Sequence, residues 1–142
     1  MDSKSFFYQF GKALYHVDAV YEEFAKQSGV ASPTMLWILY ALGDGSEHTQ
    51  REICLDWDLP KSTVNTVMSD LKKKGYVELI PIKGKRREMN IVLTDQGKEY
   101  AEKLLSDIYK KEAEVFSKLD EQDLKVIECL EKITMYLRGE KE

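Results

Sequence analysis

Cysteine is scarce in this 142-residue chain: Cys54 and Cys129 are the only two, and His16 and His48 are the only histidines. Two thiols make no disulfide framework, and two cysteines with two scattered histidines make no zinc site, so no structural metal is expected. Long apolar runs are lacking too. No stretch approaches the roughly 18 residues a membrane span needs, and no basic-then-apolar leader opens the sequence, so a cytoplasmic location without membrane contact is expected. Paired carboxylates, a nucleophile-and-base arrangement and a glycine-rich phosphate loop are missing as well. The chain is therefore not expected to be an enzyme, and no cofactor is implied.

What is present is organised around residues 60–93. Val64, Val67, Met68 and Leu71 recur at the 3.6-residue period and form one apolar stripe. Rotating away from that stripe brings Ser62, Asn65, Thr66, Ser69 and Lys73 to the opposite side. Short polar side chains of this kind let a helix approach a major groove, where they bond base edges or phosphates. Upstream, Thr49 with Glu52 three residues on is a capping box opening a short helix through Trp57, with Ile53 and Trp57 on its buried side. Asp58-Leu59-Pro60 is a tight connection, so the two helices form a helix-turn-helix candidate. Lys72-Lys73-Lys74-Gly75 supplies cations and a C′ glycine to end the second helix. The period then changes to two, with Val77, Leu79 and Ile80 before Pro81 and Met89, Ile91 and Leu93 beyond, which predicts two strands. Between them Lys83-Gly84-Lys85-Arg86-Arg87 is a basic hairpin tip.

Net charge is −4, an unpromising sum for a nucleic-acid binder, but the charge is unevenly spread. From Lys61 to Arg87 eight cations face Asp70 and Glu78, leaving +6 there and −10 in the remainder. A concentrated basic face on an acidic body still suits a phosphate backbone.

Helical patterns flank this centre. Residues 3–28 carry a wide aromatic and aliphatic face that includes Phe6, Phe7, Phe10, Leu14, Val17, Tyr21 and Phe24, more than a small core can cover, so a subunit partner is expected. Ser32 and Pro33 read as N-cap and first residue of a support helix ending at Gly43, and a very short strand near His48 is expected to pair with the hairpin. Thr94 caps a long helix from Asp95 to about Ser117, and Leu119-Asp120 caps a final helix whose face is Leu124, Ile127, Leu130, Ile133, Thr134 and Leu137. Cys54 and Cys129 read as small core fillers. The expected fold is mainly α with a small β-hairpin (α+β): a winged helix-turn-helix core over 32–93, flanked by dimerisation helices at 3–31 and 95–138, in one domain spanning 1–142.

In their order and spacing, Ser62-Thr63-Val64, Leu71-Lys72-Lys73-Lys74-Gly75-Tyr76-Val77, Arg86-Arg87 and Leu93-Thr94-Asp95-Gln96-Gly97 resemble the MarR family of winged-helix transcriptional regulators over nearly the whole chain. The resemblance implies a homodimer on double-stranded DNA, its recognition helices in successive major grooves of a pseudo-palindrome and Arg87 in the minor groove. It implies an aspartate two residues before that arginine, where this chain has Lys85. The DNA-binding set so expected is Lys61, Ser62, Thr63, Asn65, Thr66, Ser69, Lys73, Lys85, Arg86 and Arg87. The family also admits small aromatic effectors between its first two helices, which makes Tyr15, His16, Trp37 and Tyr40 candidate pocket residues. At helical spacing the same residues are ordinary core, and both assignments stay open. The expected function is a ligand-responsive repressor; the alternative, favoured by the acidic net charge, is a winged-helix module that docks a protein partner.

Overall fold

The computed structural model describes residues 1–30 and 32–141; Ala31, near the expected end of the first helical segment, lies outside the described residues. The elements in order are α1 (Ser3–Gln27), α2 (Pro33–Leu42), β1 (His48–Thr49), α3 (Gln50–Asp56), α4 (Lys61–Lys73), β2 (Val77–Pro81), β3 (Met89–Leu93), α5 (Asp95–Phe116), α6 (Glu121–Leu124) and α7 (Val126–Leu137). The chain divides into two compact units, residues 1–106 and 107–142. Among the described residues, no helix is long and apolar enough to cross a membrane.

The first unit holds the winged helix. Leu36, Ile38 and Leu39 of α2, Ile53 of α3, Val64 and Leu71 of α4, Ile91 of β3 and Leu105 of α5 are almost completely buried and form its core. The stripe read from the sequence of α4 is buried at all four positions. The three strands run antiparallel in the order β1-β3-β2, with His48 opposite Ile91 and Val77 opposite Leu93, so the expected short strand exists and joins the wing.

Local chemistry sets the joints. Thr49 ends β1 and caps α3, its hydroxyl accepting from the Glu52 amide while the Glu52 carboxylate accepts from the Thr49 amide. Asp58 takes a left-handed conformation, and the Leu59 amide returns to the Cys54 carbonyl, a 6→1 closure that ends α3 and turns the chain into α4. Gly75 does the same for α4, with the Tyr76 amide on the Leu71 carbonyl. Thr94 locks the next joint: its hydroxyl donates to the Gly75 carbonyl at 2.7 Å and accepts from the Gly97 amide at 3.0 Å.

Trp57 departs from expectation. It sits at the C-cap of α3, 39% exposed, with its ring 5.5 Å from that of Trp37, because the helix ends before Trp57 can turn inward. On α1 only Ala25 is buried, and Phe6, Phe7, Leu14, Val17 and Val20 are exposed.

In the second unit the expected final helix is two, α6 and α7. An Asp120/Asp123 capping box starts the first, and the chain tightens at Lys125, whose amide returns three residues to Gln122. α7 buries no residue, and Ile127 and Leu137 are 65% and 70% exposed. Cys129 is therefore exposed rather than a core filler, since its helix has no internal core to fill.

Candidate nucleic-acid interface

The interface is built on the outward side of α4. Burial of Val64, Val67, Met68 and Leu71 fixes the helix's rotation, which leaves Lys61, Ser62, Asn65, Thr66, Ser69 and Lys73 exposed and Thr63 half-buried. The Thr66 hydroxyl donates to the Ser62 carbonyl at 3.0 Å, so it faces a ligand chiefly as an acceptor. The start of α4 differs from that of α3. Pro60 at its N-cap offers no side chain to the first amides, and no acidic residue occupies the first turn. The positive end of the helix is thus open beside Lys61, a setting suited to phosphate oxygens.

The wing rises next to it. The Lys85 amide returns to the Ile82 carbonyl at 3.1 Å and Gly84 adopts positive φ, which closes the tip and leaves Lys83, Lys85, Arg86 and Arg87 exposed. Between α3, the first half of α4 and the wing lies a groove of about 480 Å³. Its rim carries Gln50, Arg51, Lys61, Asn65, Arg87 and Glu88, and Leu55, Leu79 and Met89 contribute its apolar part. Three of the expected site residues, Lys61, Asn65 and Arg87, are thereby brought to one place. Ser62, Thr66, Ser69, Lys73, Lys85 and Arg86 stand outside the groove on exposed surface.

Sequence alone did not single out Gln50, Arg51 and Glu88. The Gln50 amide donates to the Asn65 side-chain oxygen, which orients Asn65 from α3. Glu88 reaches both ways across the groove: it accepts from Lys85 Nζ at 2.9 Å and lies 3.7 Å from Arg51 Nη1. The Lys85 hydrogen bond and charge, with Arg51 behind them, hold the Glu88 carboxyl below its usual range. Asp70 similarly pairs with Lys74 at 3.1 Å and raises the ammonium's pKa. Among the described residues Lys61, Lys73, Arg86 and Arg87 make no ion pair, so their charges face solvent. Cys54 is half-buried in the groove lining rather than sealed in the core, because α3 turns that side toward the wing.

The four candidate effector residues are distributed over two settings. Tyr15 is 77% exposed on α1, and His16 is exposed beside it. Trp37 and Tyr40 on α2 are half-buried with ring centroids 5.5 Å apart, and Trp37 also meets Tyr21 at 4.6 Å.

The sequence model of the MarR family matches residues 32–88, the winged-helix segment. No curated protein matches the chain. NMB1585, a MarR family regulator from Neisseria meningitidis, superposes with a TM-score of 0.83 at 24% identity, covering 98% of this chain and 96% of its own. The Staphylococcus aureus MarR in complex with salicylate and kanamycin gives 0.71 at 19% identity, over 98% of this chain and 94% of that one. The S. aureus MepR–DNA complex gives 0.69 at 20% identity, over 92% and 96%. At these identities the likeness establishes the fold, and with the family match it bears out the resemblance drawn from the sequence.

Proposed function

From a MarR-family winged helix over residues 32–88 within a MarR fold, we propose that this chain is a sequence-specific DNA-binding transcriptional regulator that acts as a homodimer in the cytoplasm and catalyses no reaction. The observation that carries the proposal is the convergence of Lys61, Asn65 and Arg87 on the groove between α4 and the wing, beside an uncapped helix N-terminus. Ser62, Asn65, Thr66 and Ser69 read base edges in the major groove, with Lys61 and Lys73 on phosphates and Thr63 at the start of the same helix. Lys85, Arg86 and Arg87 form the wing, with Arg87 in the minor groove. The S. aureus MepR of similar fold is seen in a complex with DNA, which supports DNA as the partner.

Two copies are called for by the apolar surface. Phe6, Phe7, Val17 and Val20 of α1, and separately Ile127 and Leu137 of α7, are more apolar area than a monomer leaves in water. Two recognition helices then meet half-sites about 10 base pairs apart, and a pseudo-palindromic operator mirrors the two-fold axis. Release of the operator by a small aromatic ligand, with Tyr15, His16, Trp37 and Tyr40 at its pocket, makes the protein a ligand-responsive repressor; the salicylate-bound S. aureus MarR supports this part by analogy of fold.

Fluorescence anisotropy on labelled DNA from immediately upstream of the gene, against scrambled duplex at two salt concentrations, tests the proposal. Preference for the upstream fragment by about 1,000-fold or more is expected, with affinity falling steeply as salt rises. Arg87→Ala is expected to cost about 1 to 3 kcal/mol of binding, its sequence effect confined to minor-groove positions. Failure to bind any duplex, including those from a genome-wide fragment selection, leaves the protein-docking module as the function, consistent with the net charge of −4.

A further inference from the structure

The cations of the interface are not equivalent. Lys61, Lys73, Arg86 and Arg87 make no ion pair among the described residues, whereas Lys85 at the wing tip and Arg51 on α3 share one carboxylate. The Glu88 side chain is 30% exposed, against 59% for Lys85 and 75% for Arg51, so the anion sits beneath the two cations at the edge of the groove. The 2.9 Å contact to Lys85 and the 3.7 Å contact to Arg51 span the gap between wing and helix. These contacts, the Lys85 hydrogen bond first, hold the Glu88 carboxyl below its ordinary range.

We propose that Glu88 is a specificity-setting positioning residue: it occupies Lys85 and Arg51 in the place of phosphate and tethers the wing tip to α3, which holds down affinity for DNA of arbitrary sequence. The proposal rests on the DNA-binding function above and adds a device that regulates it. Non-specific affinity comes from cations that displace counterions from the backbone, at a slope of about −0.9 in log K against log salt for each phosphate contact. A cation already neutralised by a carboxylate adds little to that count, and the carboxylate itself repels a phosphate that approaches. Base and minor-groove contacts by Asn65 and Arg87 do not pass through this pair. Glu88 therefore subtracts from the sequence-independent part of binding while the tether presents Arg87, its neighbour in the chain, at a fixed height above the groove.

The test is Glu88→Gln, nearly equal in shape but uncharged, measured on a random duplex and on the duplex that the wild-type protein selects from a random pool. On the random duplex the salt slope is expected to steepen by about 1 to 2 per subunit, and affinity at about 50 mM salt to rise about 3- to 10-fold. On the selected duplex the gain is smaller, because freeing the wing offsets it, so the specificity ratio falls. An unchanged random-duplex slope overturns the proposal. A second arm stands independently: Lys85→Gln is expected to flatten the random slope by less than half of what Arg86→Gln does, and equal flattening by the two overturns the proposal whatever Glu88→Gln does. Wild-type protein that binds neither duplex removes the DNA-binding function itself, and the role of Glu88 with it.

Discussion

α4 and α7 carry comparable apolar stripes at helical spacing, yet one is sealed and the other is bare. Val64 and Leu71 of α4, which packs on α3 and β2, are fully buried, whereas α7 buries nothing and exposes Ile127 and Leu137. The contrast teaches what periodicity encodes. A stripe states that a face must leave water, and it is silent on whether the cover comes from the same chain or from another. Where the chain supplies its own cover, the opposite face of the helix is left to solvent, the face given to DNA in the proposed function; where it does not, the proposed homodimer has a second copy supply the cover.

Three substitutions and a pH titration act on that contrast. Ile127→Glu is expected to have the largest effect, because in the proposed homodimer it places an unpaired charge in the subunit interface twice over, at about 2 to 5 kcal/mol each. Light scattering should show the particle falling from twice the 16.5 kDa chain mass to one chain while the helical circular dichroism persists. An unchanged dimer would mean that α7 faces water in the assembly as well. Leu36→Ala, in the sealed region, is expected to cost about 2 to 5 kcal/mol in denaturant unfolding. It is expected to leave the subunit stoichiometry alone, and a change in mass rather than midpoint would contradict the separation of the sealed core from the proposed subunit interface.

Gly97→Ala comes next. A Cβ there would lie 1.9 Å from the Tyr76 carbonyl oxygen, which is backbone and cannot swing aside, so about 1 to 3 kcal/mol is expected from the forced separation of α5 from the end of α4. A midpoint within experimental error of wild type would show that this joint yields freely.

The smallest effect is on the acid limb of stability. The Asp44 carboxyl is held low first by its hydrogen bond to His48, at 2.8 Å, and then by the Ser46 amide; Glu88 is held low by Lys85. A carboxyl with a lowered folded-state pKa stabilises fully above its ordinary value, 3.8 for Asp44 and 4.5 for Glu88, and the contribution disappears as pH falls through the lower folded values. Urea midpoints measured from about pH 6 to pH 3 should therefore decline less in Asp44→Asn and Glu88→Gln than in wild type. Parallel decline in all three would show that neither carboxyl differs between folded and unfolded chains. Because both sites are open to water, the differences are expected to be slight.

Much of the fold is legible in single residues because the forces involved act over a few positions. Ser32 and Thr49 at N-caps, Pro33 at a first helical position and Gly75 at a C′ position meet local backbone demands, and each stands where the sequence put it. Even β1, two residues long, lies where a very short strand near His48 is expected to pair with the wing. The break at Lys125 was not legible, since no proline or glycine marks it and the tightening of one turn has no residue signature. Trp57 departs from its expected burial for a related reason: α3 ends one residue too early to turn it inward.

Sequence by itself determined the helices through α5, the wing, the outward set on α4 and the concentration of positive charge, because period, capping and charge order are properties of neighbours along the chain. Only the tertiary structure decided which of those charges are spoken for. Glu88 and Arg51 are 37 positions apart in sequence, and Gln50 and Asn65 are 15; no local rule joins them. They meet because burial of Ile53, Val64 and Ile91 draws α3, α4 and β3 around one core. That packing turns separate polar residues into a groove, and it leaves Arg86 and Arg87 unpaired while Lys85 is held.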